Sequence, residues 1–168
     1  MKGSPNLFEQ EIIDVLTRSV DELHSQKICG DESWTRKFKE QLAELGKRHG
    51  CEICTSGFSD VYNNEWLFDM VWYKENALKQ LIDVPLVVES EWGSNPEQIK
   101  FDFEKLLLSN SRHKLLICHS HPSKIANLQQ YFVDAISCYQ LNEPNDRYLI
   151  AVLDKVKEEF AFEVYVKR

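Results

Sequence analysis

Two apolar segments of this chain carry carboxylates, and this combination narrows the structures that the sequence can adopt. Residues 66–73 contain Asp69, and residues 84–92 contain Glu89 and Glu91. Both segments have the composition of buried strands, where an acidic side chain is costly unless it is paired or binds a metal. Residues two apart on a strand face the same side, so Glu89 and Glu91 are expected to point together. Carboxylate oxygens from neighbouring strands are ligands that suit Mg2+ or Mn2+.

The overall composition is that of a single globular domain. The chain has 168 residues, of which 43% are hydrophobic and 28% charged, which is enough to build a core. No apolar run approaches the length of about 18 residues that a membrane span needs, and residues 1–10 lack the pattern of a signal peptide, so we expect a cytoplasmic protein with no membrane partner. The net charge of −7 disfavours a protein that coats nucleic acid. It still permits a nuclease, because acidic metal ligands contribute to the negative total.

Hydrophobic periodicity predicts four helices and six strands in the order ααβββαβαββ. The predicted helices span residues 6–25, 34–48, 96–110 and 123–141, and the predicted strands span residues 51–57, 66–73, 84–92, 113–119, 148–153 and 160–166. This order favours an α/β fold of the α+β type, with a mixed sheet flanked by helices. No linker is long enough to divide the chain, so residues 1–168 are expected to form a single domain.

The order of the elements and the placement of the acids resemble the PD-(D/E)XK nuclease-like superfamily, also called restriction-endonuclease-like, whose core is αβββαβ. Residues 34–119, about half of the chain, match this nuclease-like core. Residues 1–33 are then an N-terminal helical extension, and residues 120–168 are a C-terminal helix and β-hairpin. The resemblance implies a metal-dependent nuclease that hydrolyses phosphodiester bonds in DNA or RNA. Asp69 and Glu89 match the family's acids, and with Glu91 they are the implied ligands of Mg2+ or Mn2+.

Two positions depart from the family's pattern. Phe68 stands where the family often has Pro, and Glu91 stands where it usually has the Lys that helps to activate water. An acid at this position could bind the ion or act as a general base. Some members of the family resemble this chain in having an acid there, and others supply a Lys from the following helix, where Lys105 is preferred here over Lys100.

The first helix of the family's core often carries a further acid. Glu44 is the preferred candidate here, because it lies nearer the apolar stripe of its predicted helix, and Glu40 is the other. One alternative to a nuclease is a catalytically inactive protein of the same fold that binds protein or nucleic acid, which the missing Lys and the acidic total favour. In the simplest alternative, the acids are solvent-exposed strand ends paired with Lys or Arg.

A second motif, residues 119–122 with the sequence HSHP, resembles the zinc motif of the JAMM metalloproteases and implies a zinc hydrolase. His119 and His121 would be the ligands. The downstream Asp that this family requires would fall at Phe132, so half of the motif is missing. Surface histidines at a strand end are the simpler interpretation.

Other conspicuous residues are interpreted structurally. Cys51 and Cys54 are expected to be small buried thiols rather than zinc ligands. The tryptophans at positions 66, 72 and 92 are more typical of a core than of a base-stacking surface. A basic group around the fourth predicted core strand, formed by Arg112, His113, Lys114 and Lys124, is a solvated face that could contact phosphate. The last strand, 160–166, could pair at a sheet edge in a homodimer.

Overall fold

The computed structural model describes residues 1–59, 62–93, 95–154 and 156–167, which form four helices and a mixed sheet. The helices are α1 (Leu7–Ser25), α2 (Asp31–Arg48), α3 (Pro96–Leu107) and α4 (Pro122–Cys138). The strands are β1 (Lys2–Gly3), β2 (Glu52–Ser59), β3 (Tyr62–Asn64), β4 (Met70–Glu75), β5 (Leu81–Glu91), β6 (His113–Ser120), β7 (Arg147–Asp154) and β8 (Glu159–Val166). The predicted mixed α/β class is confirmed.

The sheet has the strand order β1-β8-β7-β6-β5-β4-β2-β3. Strands β2, β4 and β5 run antiparallel to one another, whereas β5, β6 and β7 run parallel. A C-terminal hairpin joins β7 to β8, as the sequence predicts. The carboxyl ends of β5, β6 and β7 therefore lie at the same edge of the sheet, and the turn into β4 reaches that edge too.

Helices cover both faces of the sheet. Helices α1 and α2 pack on one face, where Leu115 and Ile117 of β6 point, and α3 and α4 pack on the other, where Leu116 and Cys118 point. Strand β6 is consequently buried on both sides, which explains why its sequence is a continuous apolar run rather than an alternating one. The chain thus forms three layers, and α3 lies on the face toward which Glu89 points.

Helix α2 approaches the sheet closely at Gly46. A Cβ atom at this position would lie 2.5 Å from Ile53 Cδ1 and 2.8 Å from Trp72 Cε2. Trp72 is fully buried in β4, so its ring has little room to move. Because Gly46 has no side chain, α2 can pack this closely against strands β2 and β4.

The first acid-bearing strand begins four residues later than the sequence predicts. Strand β4 begins at Met70, so Asp69 lies directly before it and not within it. Trp66 and Leu67 are 49% and 79% exposed, so the interpretation of Trp66 as a core residue was wrong. The apolar character of residues 66–68 comes from a surface groove and not from burial in the sheet.

The predicted basic patch does not form. Lys114 is fully buried on β6 and pairs with Asp146 at 2.7 Å, while Arg112 and Lys124 lie beyond opposite ends of the strand. Eight strand residues span about 26 Å at about 3.3 Å per residue, too far for a compact patch. Separately, no helix within the described ranges is long and apolar enough to span a membrane.

Candidate active site

Asp69 is held rigidly at the end of the sheet where β4 begins and β5 ends. Met70 pairs with Val88 across the antiparallel ladder, which brings Asp69 beside residues 89–90. Its Oδ2 accepts hydrogen bonds from the Ser90 backbone nitrogen at 2.8 Å and the Ser90 hydroxyl at 2.7 Å, and its carbonyl accepts one from the Thr55 hydroxyl at 2.7 Å. Only Oδ2 is used by Ser90, so the other carboxylate oxygen remains available for a ligand.

Glu89 is the most deeply buried acid of the group, with 1% of its surface exposed. Lys105 from α3 brings its Nζ to 2.6 Å from Glu89 Oε1. The angles of this contact are poor for a hydrogen bond, so Oε1 is buried without a well-directed donor. The helix thus delivers an ammonium group to the acid-x-acid strand, at the residue that the sequence favours. The other candidate, Lys100, pairs instead with Glu97 at 2.8 Å.

Glu91 and Asp102 form a second pair of acids next to the first. Glu91 is half-buried and accepts a hydrogen bond from the Gly93 backbone nitrogen, while its carboxyl group also contacts that of Asp102 on α3. Asp102 is 7% exposed and lies 3.6 Å from Lys105 Nζ. The sequence interpretation missed Asp102. The available signal is its spacing on α3, three residues before Lys105 and on the same side as the buried Ile99 and Phe103.

Burial controls the protonation of this cluster. It raises the pKa of Glu89 to about 8; Lys105 opposes the shift, and the nearby charges of Asp69 and Asp102 add to it. Burial likewise raises the pKa of Asp102, with Lys105 opposing and Glu91 adding to the shift. Although burial acts against it, contact with Glu89 raises the pKa of Lys105, so its ammonium form is retained. At neutral pH the centre therefore holds a charged Lys105 beside a mostly protonated Glu89.

A further ion pair lies at the edge of the acid cluster, on the side of α2. Lys39 Nζ is 3.0 Å from Glu65 Oε1 and 3.3 Å from the Ser56 carbonyl oxygen. Burial alone would raise the pKa of Glu65, but hydrogen bonds from Ser56 and Lys39 lower it, and the charge of Lys105 acts in the same direction. Neither Lys39 nor Glu65 was singled out from the sequence, because each comes from a segment without a motif.

The predicted acid on α2 is not brought to the cluster. The face of α2 that lies near Asp69 carries Thr35, Phe38, Lys39 and Leu42. Glu44 is exposed and points away from this face, since nine residues after Thr35 amount to half a turn beyond two full turns of a helix. Glu44 faces neither the apolar stripe of α2 nor the carboxylates, so its position does not support its predicted role as a further acid of the site.

The histidines and cysteines of the other motifs are also separated. His119 is buried at the end of β6 beside Trp92, whereas His121 is exposed and caps α4, its Nδ1 accepting a hydrogen bond from the Ser123 backbone nitrogen at 3.4 Å. Cys51 and Cys54 are both buried, as expected, and they belong to different core clusters on opposite faces of the sheet. Among the described residues, neither pair belongs to a group of three or more His, Cys, Asp or Glu side chains that could hold a metal ion.

The carboxylate oxygens of the acid cluster are suitable ligands for a hard cation, although Lys105 already contacts Glu89 there. Within the described ranges, no three His, Cys, Asp or Glu side chains converge as a group that could hold a metal ion. Lys105 Nζ lies beside Glu89 Oε1, where a cation would also bind, so an ion would have to displace or share this contact. The donors are carboxylate oxygens, and one of them is buried without a well-directed donor of its own.

Comparison with known proteins adds no family to this picture. No family model, curated protein or solved structure matches the chain. The function must therefore be argued from the geometry of the acids and Lys105.

Proposed function

We propose that the protein is a divalent-metal-dependent nuclease, a hydrolase of phosphodiester bonds, with Asp69, Glu89 and Glu91 as ligands of Mg2+ or Mn2+. The observation that carries the proposal is the 2.6 Å approach of Lys105 Nζ to Glu89 Oε1. It supplies from α3 the amine that a nuclease-like site requires and that position 91 lacks. A glutamate at position 91 is then compatible with a nuclease-like site, in which a bound ion would have to draw Asp69, Glu89 and Glu91 together.

The topology supports the same proposal. Apart from the short strand β3 between β2 and β4, helix α2, strands β2, β4 and β5, helix α3 and strand β6 follow one another in the order αβββαβ. The three strands form an antiparallel meander, and β6 lies parallel to β5 after the α3 crossover. This order matches that of the restriction-endonuclease-like core, with Asp69 directly before the second core strand, Glu89 and Glu91 on the third, and the lysine on the helix that follows.

Each residue has a role that follows from its position. A bound Mg2+ would lower the pKa of a coordinated water and offset the charge of the phosphate. Lys105, with 32% of its side chain exposed, can donate a hydrogen bond to a phosphate oxygen or to the attacking water. Glu91 is half-buried and can accept the proton of that water. Glu89 must lose its own proton before it can bind an ion.

The test combines metal binding with cleavage. The protein is incubated at pH 8 with single- and double-stranded DNA and RNA and with Mg2+ or Mn2+, and Mn2+ binding is measured by calorimetry. We expect Asp69→Asn and Glu89→Gln to abolish both binding and cleavage. Glu97→Gln, on the exposed side of α3, is the matched control and should retain both. The proposal fails if no substrate is cut and Mn2+ binding is absent or insensitive to Asp69→Asn.

A catalytically inactive binding protein of the same fold is the second candidate. It is favoured by the contact between Glu89 and Lys105, which gives the buried carboxyl group a partner without any metal. This candidate predicts that Mn2+ leaves the melting temperature unchanged. It also predicts that Glu89→Gln still binds the protein or nucleic-acid partner. A metal-dependent rise in melting temperature that Glu89→Gln removes would exclude it.

A further inference from the structure

A long apolar groove lies beside the acid cluster, between α3 and the segments that lead into β4 and β5. We call it the α3 groove and define it by Trp66, Leu67, Ile82, Phe101, Lys105 and Leu108. Its volume is about 770 Å3, within the range of about 300–1,000 Å3 that ligand pockets occupy. Lys105 belongs to both the groove and the acid cluster, so the two sites are continuous.

The apolar lining of this groove is unusually exposed. Leu67, Leu108 and Ile82 are 79%, 71% and 63% exposed, and Phe101 is 59% exposed. Isolated exposed apolar residues are common, but contiguous exposed patches mark binding sites. We therefore expect the exposed apolar lining to bind a ligand with flat or apolar surfaces.

Two aromatic rings in the groove are placed to stack against a flat ligand. Trp66 packs on Tyr73 with ring centroids 4.8 Å apart and a tilt of 38°. Tyr73 supports one side of the indole, while 49% of Trp66 stays open to solvent. Phe101 presents a second exposed ring from α3. Unpaired nucleobases have apolar faces that stack on such rings, and every base has one.

The charge and the polar groups of the groove favour unpaired bases over a duplex. The charged residues among those lining it are Lys105 and Asp83, so affinity in the groove would come from base stacking, which the already stacked bases of a duplex cannot provide. Ser109 and Asn110 lie at the end of the groove after α3 and offer hydrogen-bonding groups for base edges. A single strand can insert its bases into the groove while a phosphodiester lies near Lys105.

We propose that the α3 groove binds unpaired nucleobases of a single-stranded nucleic acid and so makes single strands the preferred substrate. This inference rests on the proposed nuclease function, because it places the adjoining phosphodiester at the acid cluster. Trp66 and Phe101 are the stacking residues. Lys105 lies between the α3 groove, which would hold the bases, and the acid cluster, where the phosphate would react.

Binding is tested in the Glu89→Gln background, which prevents cleavage. Labelled single-stranded oligothymidylate and oligoadenylate are compared by fluorescence anisotropy with a hairpin duplex, with and without Trp66→Ala or Phe101→Ala. Because one stacked base contributes about 1–3 kcal/mol, each substitution should weaken single-strand binding by about 5- to 150-fold. Phe101→Tyr keeps the ring and should bind as well as the parent. Leu141→Ala, at an exposed leucine after α4, is the matched control.

The outcomes separate this inference from the nuclease proposal. If metal binds and strands are cut, yet Trp66→Ala and Phe101→Ala bind and cleave single strands as the parent does, the groove proposal is overturned and the nuclease proposal stands. If sedimentation shows a dimer that Phe101→Ala dissociates, a second copy of the chain fills the groove, and the proposal is equally overturned. If single strands bind through the two rings but no metal binds, only the nuclease proposal fails.

Discussion

Glu89 is a carboxylic acid that the fold keeps largely protonated at neutral pH. Its pKa is raised to about 8 because the side chain is buried, against an ordinary value near 4.5. The folded state thus binds a proton that the unfolded state has released between these two values. The free energy of unfolding contributed by this group therefore falls as pH rises from about 4.5 to 8, by up to about 1.4 kcal/mol per pH unit, and is constant above pH 8.

Replacing Glu89 with glutamine removes this titration. In the absence of metal, we expect Glu89→Gln to equal the parent in stability near pH 4.5 and to exceed it increasingly up to pH 8. Urea unfolding at a series of pH values measures the difference. Glu97→Gln, at an exposed acid of α3, should follow the parent throughout. A Glu89→Gln variant that is less stable than the parent at pH 8 would show that the ion pair with Lys105 outweighs the cost of burial.

Lys105 is expected to act on the reaction more than on metal binding. Lys105→Met keeps the aliphatic stem but removes the ammonium group 2.6 Å from Glu89. Because a cation and an ammonium group repel each other, Mn2+ affinity should be unchanged or higher, while the cleavage rate should fall by about 10²- to 10⁴-fold. Lys100→Met, on the same helix and paired with Glu97, is the control and should retain the rate. Equal rates for the two variants would remove Lys105 from the mechanism.

At the scale of elements, the packing of α2 against the sheet depends on a glycine. Ala normally stabilises a helix by about 1 kcal/mol relative to Gly. At position 46, however, the new methyl group would meet the buried ring of Trp72 at 2.8 Å, and overpacking of a core costs about 1–3 kcal/mol. The net of the two effects is a loss of up to about 2 kcal/mol in the free energy of unfolding for Gly46→Ala, as measured in urea.

Glu44→Ala provides the comparison on the same helix. Glu44 is exposed, so its substitution should leave stability within about 0.5 kcal/mol and cleavage unchanged. A large loss of cleavage in Glu44→Ala would instead restore the role that the sequence suggests for this acid.

A Gly46→Ala variant as stable as the parent would mean that α2 can move away from β4 at little cost.

The helices and long strands could be predicted from the sequence, because periodicity and caps report on local structure. The short strands β1 and β3 could not, since two or three residues carry no period. Residues 66–68 were misassigned because exposed groove residues and buried strand residues have the same composition. Lys105 was accessible from the sequence only through a family pattern. Asp102 has a signal in its spacing before Lys105, but its contact with Glu91 joins a helix to a strand and required the structure.

At the scale of the whole molecule, metal binding should appear as global stability. An ion that binds only the folded state raises the melting temperature by mass action. Because Glu89 must first release a proton, affinity should drop about tenfold for each pH unit below about 8. We expect Mn2+ to raise the melting temperature at pH 8 and to have much less effect at pH 6, with the shift reversed by a chelator.

Scanning calorimetry with and without Mn2+ at both pH values measures this effect. Asp69→Asn, which keeps an acceptor for Ser90, should abolish the shift at pH 8 without a large loss of stability in the absence of metal. A shift of the same size at pH 6 and pH 8 would contradict the assignment of Glu89 as the residue that must lose a proton.

The two ends of the sequence meet in the fold, and this affects the order in which the chain can become structured during synthesis. Strand β1 pairs with β8, and Glu9 on α1 forms a two-pronged ion pair with Arg147 at 2.7 and 2.8 Å, across 138 residues. The apolar face of α1 has no complete sheet to cover until β7 and β8 have left the ribosome. Until then, this apolar face stays without its partners from the sheet.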